Sequence, residues 1–364
     1  MHIFYDGEIY GLQKVGGISR YFDNIISNLP KDFHPILTSV RSRHEPHPHH
    51  PNLKLFSYKR FWFRPGRVSY WLEPYYFQSL EIINKYQVFH PTYYSLLTRQ
   101  KLQKKRCPVV ITVYDMIHEI FAVMDKDGQM AEVKRRAISA ADIILCISES
   151  TRRDLLERYP LPGEKVWVTY LATDFNPKLG YGDEPIPSRP FFLHVGGRGG
   201  YKNFKTLLIA FSKVFSKIPD ILLSVVGSPF DTTEQGMISE MNLNNHVQNF
   251  GYASDAQLAK LYRNCIAFVY PSLYEGFGIP PLEAMICQAP VIASNTSSIP
   301  EVVGDAALLF DPSSISDLAD RLLFLLEHPA ERERLISKGL AQAKKFTWDK
   351  TVARTVEAYR YVVG

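Results

Sequence analysis

The run Pro271-Ser-Leu-Tyr-Glu-Gly-Phe-Gly-Ile-Pro-Pro-Leu-Glu-Ala-Met285 carries two glutamates, Glu275 and Glu283, separated by seven residues. Before it, Ile266-Ala-Phe-Val-Tyr270 is a continuous apolar run of the kind that forms a buried parallel strand. Gly276 and Gly278 give the following loop its freedom. Pro280 and Pro281 then suit the first turn of a helix, where N–H groups have no partner to lose. Strand, glycine loop and helix N-terminus together make an anion site, with amides and the positive end of the helix dipole aimed at a phosphate. Carboxylates accept hydrogen bonds from paired hydroxyls, so two of them beside such a site suit a ligand with a phosphate between hydroxyl-rich groups. A nucleotide sugar has that chemistry.

Outward from this segment, strands and helices alternate. His2-Ile-Phe-Tyr5, Val109–Tyr114, Asp142–Ile147 and Lys165–Tyr170 read as strands, with helices expected over Ile18–Leu29 and Thr151–Tyr159. Residues 171–190 are irregular, with Pro177, Gly180, Gly182, Pro185, Pro187 and Pro190, and read as a linker. A second series follows: strand Phe191–Val195, helix Phe204–Lys217, strand Ile221–Val226, helix 254–264, strand 266–270 and strand Pro290–Ala293. Residues 314–364 read as mostly helical. The alternation argues for an α/β chain with parallel sheets covered by helices on both faces.

The Glu275 to Glu283 segment resembles the signature of retaining glycosyltransferases of family 4, the mannosyltransferase-like group 1 enzymes of GT-B fold. The resemblance is strongest over residues 191–311. It implies two Rossmann-like domains facing across a cleft. Residues 1–175 would form an acceptor domain and 190–345 a donor domain, with 346–364 a helix crossing back to the first. It also implies that Glu275 touches hydroxyls of the donor sugar and Glu283 those of the ribose, with Gly276, Phe277, Gly278 and Ile279 lining the donor.

Three other loops fit the same resemblance. Gly16-Gly17 before Ile-Ser-Arg-Tyr places pliable backbone at a helix start, over the donor diphosphate. Val195-Gly-Gly-Arg-Gly-Gly-Tyr-Lys-Asn-Phe204 puts Gly197, Arg198 and Lys202 where two cations neutralise a leaving diphosphate without a metal, although Arg198 is placed differently from the commonest wording. Tyr252, in Asn249-Phe-Gly-Tyr252, is expected beside the nucleotide base through its main chain. In Thr112-Val-Tyr-Asp-Met-Ile-His118, many relatives have His-Asp where this chain has Tyr114-Asp115; His118 is then the candidate to reach the donor sugar, or a structural polar residue.

The expected reaction is transfer of a hexose, mannose from GDP-mannose first, to a glycan or lipid-linked glycan in surface polysaccharide or lipopolysaccharide synthesis. No cofactor or metal is expected. Asp125-Lys126-Asp127 spells a metal-binding Asp-x-Asp, but it sits in a polar turn with no strand leading into it. The Gly196–Gly200 run misses the dinucleotide register because position 201 is Tyr. A GT-B sugar-nucleotide epimerase or hydrolase, and a non-catalytic sugar-nucleotide binding module, are the alternatives.

Composition sets the compartment. Hydrophobic residues at 46% and charged residues at 22% describe a folded globular chain. The four cysteines are scattered, and the N-terminal residues lack the basic start and apolar core of a signal peptide. A cytoplasmic protein is expected. Residues 41–106 hold 13 basic and 3 acidic residues, interleaved with aromatics as in Arg60-Phe-Trp-Phe-Arg-Pro-Gly-Arg67. That pattern suits an anionic membrane surface at the inner face of the plasma membrane, stacking on sugar rings, or a solvated basic face over an aromatic core. Single-stranded nucleic acid would leave a similar signature, but no nucleic-acid partner is expected.

Overall fold

The computed structural model describes residues 1–13, 16–40, 46–59, 66–125 and 127–364. Lys126 and residues 60–65 of the aromatic-basic run, both singled out in the sequence, lie outside the described residues. The chain divides into two compact units, Met1–Leu171 with Trp348–Gly364, and Ala172–Thr347.

In the first unit, strands β1 (His2–Asp6), β2 (His34–Ser39), β3 (Lys54–Ser57) and β4 (Val88–Phe89) form a parallel sheet in the order β3-β2-β1-β4. Strands β5 (Val110–Val113), β6 (Ile143–Cys146) and β7 (Val166–Val168) form a second parallel ladder. One parallel bridge, Phe89 to Val109, joins them. The order therefore runs 3-2-1-4-5-6-7, the doubly wound pattern that reverses between its first and fourth strands.

The C-terminal helix Trp348–Val363 belongs to this unit through a buried chain of polar groups. The Tyr359 hydroxyl lies 2.9 Å from that of Tyr5 and 2.6 Å from His90 Nδ1. His90 Nε2 reaches Thr112 Oγ1 at 3.0 Å, and Thr351 Oγ1 donates to the Tyr170 carbonyl at 2.6 Å. Four otherwise costly buried groups satisfy one another across three elements. Tyr359→Phe strands both Tyr5 and His90, so we expect a loss of about 1–3 kcal/mol and a fall in Tm of several degrees, read by thermal denaturation.

The helix Gly66–Ile83 contains Pro74, which cannot donate to the Tyr70 carbonyl one turn earlier. Arg99 fills the gap: its Nη2 donates to the Tyr70 carbonyl at 3.0 Å, and its guanidinium stacks 3.9 Å from the Tyr70 ring. A side chain from a distant loop thus repairs the helix that proline would break, which is why local sequence does not announce it.

The second unit carries β8 (Phe191–Val195), β9 (Leu222–Val226), β10 (Val247–Asn249), β11 (Ala267–Tyr270), β12 (Val291–Ser294) and β13 (Leu308–Phe310). All six are parallel, in the order β10-β9-β8-β11-β12-β13. Apolar residues of β8, β9 and β11 pack under the helices Phe204–Phe215 and Ile315–Glu327 in one core. The supposed linker is not free. Its turn Pro177–Tyr181 packs on the helix Asp255–Asn264, with Arg263 stacked 3.9 Å from Tyr181 and donating to the Pro177 carbonyl.

Three buried titratable groups contribute to the acid response. Burial lowers His90 to about 3 and His194 to about 4, and raises Asp6 to about 8. Between pH 6.5 and 4 the unfolded chain protonates both imidazoles while the folded chain does not. Over the same window the folded chain keeps the Asp6 proton that the unfolded chain has shed. The unfolded state then binds about one proton more, so stability falls as pH drops, by about 1.4 kcal/mol per unit. A Tm at pH 5 clearly below that at pH 6.5 is expected; a higher one would contradict this balance.

Candidate functional site

The order of the second sheet reverses between β8 and β11. In open α/β sheets ligands bind outside the carboxyl ends of the two strands at such a point. The loops that leave those ends are residues 196–203 and 271–278, and they carry Lys202 and Glu275. Lys202 Nζ lies 2.7 Å from Glu275 Oε1 and 3.0 Å from Oε2. Burial pulls the lysine pKa down, but the Glu275 carboxylate and the Tyr201 hydroxyl together outweigh it and leave the ammonium raised. The ammonium is charged across the neutral range.

Backbone ties hold the loops in register. The Leu273 amide donates to the Tyr201 carbonyl at 2.7 Å. Asn203, in the left-handed region at φ 59°, donates from Nδ2 to the carbonyls of Pro271 and Pro312. Ser298 Oγ donates to the carbonyls of Glu275 and Phe277, and Ser297 Oγ accepts the Glu275 amide. Gly278 has φ 117°, open to glycine and costly for any other residue. It precedes the helix Ile279–Ile286 without a side-chain cap. Because Pro280 and Pro281 lack N–H groups, the amides this helix end can offer come from Gly278 and Ile279. Glu283 is buried one turn further, with the Tyr262 hydroxyl 3.4 Å from its Oε2.

Arg198 departs from the sequence expectation of a cation open to a diphosphate. It is 8% exposed, donating from Nε and Nη2 to both oxygens of Glu234 at 2.7 and 2.9 Å, and from Nη2 to the Pro229 carbonyl. Glu234 is also the second half of a capping box with Asp231, and Phe204 and Phe230 flank the guanidinium. Only Nη1 is left without a hydrogen-bond partner. It lies beside Gly227, where an added Cβ would meet the Gly196 carbonyl at 2.7 Å. The arginine braces the glycine loop from beneath. Gly197 lies in that loop, close to the Lys202 stem. Sequence reading missed Glu234, Ser297, Ser298 and Tyr262; the Ser297-Ser298 pair before Ile299-Pro300 is a helix-start signal that could have exposed two of them.

Tyr252 is 84% exposed at the carboxyl end of β10, after Gly251 at φ 63°. His118, Gly16 and Gly17 belong to the first unit. Gly16 precedes the helix Gly17–Ser27; an added Cβ there would strike Gln13 Oε1. His118 sits half-buried in the short helix Ile117–Ile120, with Nδ1 unpartnered. At the carboxyl ends of β1 and β4, the first unit's own reversal point, lies a cavity of about 490 Å³ lined by Glu8, Tyr70, Glu73, Tyr94, Arg99 and Gln100 among others. Among the described residues no group of three His, Cys, Asp or Glu side chains is placed to hold a metal ion.

Residues 183–342 match the family described as glycosyl transferases group 1, and residues 15–176 match glycosyltransferase family 4. The O-antigen chain mannosyltransferase B of Escherichia coli is 32% identical over 248 residues, covering 65% of this chain and 65% of that one. The serotype-specific mannosyltransferase WbdA of Escherichia coli is 26% identical over 264 residues, 66% of this chain but 32% of that protein. The chain thus spans under two thirds of the first relative and about a third of the second. Sucrose-phosphate synthase of Thermosynechococcus elongatus superposes with a TM-score of 0.76 at 21% identity, covering 99% of this chain and 98% of that one. The fold is GT-B, with two Rossmann-like domains.

Proposed function

The chain belongs to the group 1 glycosyltransferases, and from that premise we propose that it transfers a hexose from a nucleotide sugar to a glycan or lipid-linked glycan with retention of configuration. The observation that carries this is the Lys202–Glu275 pair held at the carboxyl ends of β8 and β11. A donor diphosphate lying over the glycine loop would take the ammonium, assisted by amides at Gly278 and Ile279. Glu275, released from the lysine, would accept hydroxyls of the sugar. Glu283 would accept those of the ribose, and the base would lie against the main chain at Tyr252. Arg198 would act mainly by holding the loop, with Nη1 as its remaining donor.

The bond from C1 of the sugar to the diphosphate oxygen would break, and a bond to the acceptor oxygen would form on the same face. The acceptor proton would pass to the departing phosphate oxygen. Lys202 would stabilise the charge that develops there, without a metal. The first unit's cavity, with Tyr70 as a stacking surface and Glu8 and Glu73 as hydroxyl acceptors, would take the acceptor. Mannose from GDP-mannose is the first choice because the curated relatives above are named mannosyltransferases. The setting would be surface-polysaccharide or lipopolysaccharide synthesis at the inner face of the membrane.

The test is turnover of GDP-mannose and UDP-sugars in EDTA, with and without mannose oligosaccharides, following products by mass and NMR. An α-linked product from an α-linked donor supports the reading. Donor consumption indifferent to any acceptor would favour a hydrolase or epimerase, and no consumption a binding module.

A further inference from the structure

The helix Gly66–Ile83 is apolar on two sides. Ser69, Glu73, Phe77 and Leu80 point inward and are buried. On the opposite side Val68, Trp71, Leu72 and Tyr75 recur at three- and four-residue spacing, and Ile82 and Ile83 follow two turns on along the same face, with Ser79 exposed between the two groups. That stripe faces water: Trp71 is 62% exposed, Tyr75 55%, Ile82 84% and Ile83 74%. Trp71 and Tyr75 lean on each other, with ring centroids 5.3 Å apart. So many large apolar side chains exposed on one helix face mark something that covers them.

Charge says what. Between residues 46 and 106, the acidic side chains among the described residues are Glu73, which is buried, and Glu81, which is paired with Lys105. Lys54, Lys85, Lys101, Lys104 and Arg106 are all exposed over the same span. An apolar stripe carrying Trp71, Tyr75 and two isoleucines, in a stretch of chain that holds exposed cations and no exposed carboxylate among its described residues, is complementary to an anionic lipid surface. We propose that this helix lies in the plane of an anionic bilayer and seats the chain there through Trp71, Leu72, Tyr75, Ile82 and Ile83. The same helix presents Tyr70 and Glu73 to the first unit's cavity. Seated in this way, the chain would hold the acceptor cavity one helix diameter, ~10 Å, from the headgroups from which a lipid-linked sugar projects. This last step rests on the proposed glycosyltransferase activity; the seating itself does not.

The test is co-sedimentation of the full chain with vesicles of phosphatidylcholine alone and of phosphatidylcholine with phosphatidylglycerol, at low salt and at about 0.5 M salt, where surface charge is screened within a few ångströms. Binding should need the anionic lipid and weaken with salt. The triple variant Trp71→Ser, Ile82→Ser, Ile83→Ser should bind at least roughly tenfold more weakly. Lys85→Glu with Lys104→Glu should remove the preference for the anionic lipid. Both variants should keep the wild-type Tm and the wild-type turnover of donor with a soluble acceptor, since they alter exposed side chains outside the donor site.

No binding to anionic vesicles, or equal binding by wild type and triple variant, overturns the proposal. So does a wild type that self-associates in gel filtration, ignores vesicles, and becomes monomeric in the triple variant; the stripe is then an interface between copies. Donor turnover is read in the same samples. Its absence from the wild type would count against the glycosyltransferase reading and leave the lipid result standing.

Discussion

Lys202→Ala is expected to lower kcat/KM for the donor by about 10²–10³-fold, the cost of removing a preorganised positive charge from a developing anion. Lys202 sits in a turn whose neighbours are pinned by Asn203 and by the Leu273 amide, so nothing else in the loop is free to replace it. Arg198 cannot swing in as a substitute without abandoning both oxygens of Glu234 and the Pro229 carbonyl. The deletion also leaves the Glu275 carboxylate, itself mostly buried, without its cation. Lys202→Arg restores the charge but not the compact geometry and should recover only part of the loss. Steady-state kinetics on the three proteins decides it: a Lys202→Ala enzyme within threefold of wild type would remove this lysine from the chemistry.

Glu275→Gln is the second large effect. Glutamine keeps the length and can still accept from Lys202 through its carbonyl oxygen, so the loop held by Ser297 and Ser298 should survive with little change in Tm. What it loses is the charge, and with it one acceptor position for the sugar hydroxyls. We expect kcat to fall by about 10²-fold with a smaller change in KM, because the contact matters most where the sugar is oriented for attack. The two residues touch, so Lys202→Ala with Glu275→Gln should cost much less than the product of the single losses. Strict additivity in that cycle would mean that the ion pair does not act as one unit. Full activity in Glu275→Gln alone would exclude any positioning role for the carboxylate.

What local sequence could and could not convey follows from the physics of each element. Strands β8, β9 and β11 are buried, mainly apolar runs broken by His194 and Ser224, and runs of that kind are legible without knowledge of their neighbours. The helix Asp255–Asn264 has its cap in plain view at Ser254. The helix Gly66–Ile83 was hidden because Pro74 forbids it locally and Arg99, 25 positions away, permits it. Its exposed stripe was hidden with it, and the basic, aromatic character of the region was legible only as composition. Arg198 shows the same limit at the site. A loop arginine after a strand looks like a phosphate ligand until Glu234, 36 residues on, is seen to hold it. The strand order that puts residues 196–203 beside 271–278 is a property of the sheet, and no window of sequence contains it.

The central claim is that Lys202 and Glu275 form a diphosphate-sugar site, and one thermal-shift titration tests it most directly. Wild type and Lys202→Ala are titrated with GDP-, UDP-, ADP- and CMP-sugars in EDTA, then with Mg²⁺. The account predicts a concentration-dependent rise in Tm with one class of nucleotide diphosphate sugar, already complete in EDTA and lost in Lys202→Ala. A rise that the variant retains in full, or none with any of these donors, would contradict it.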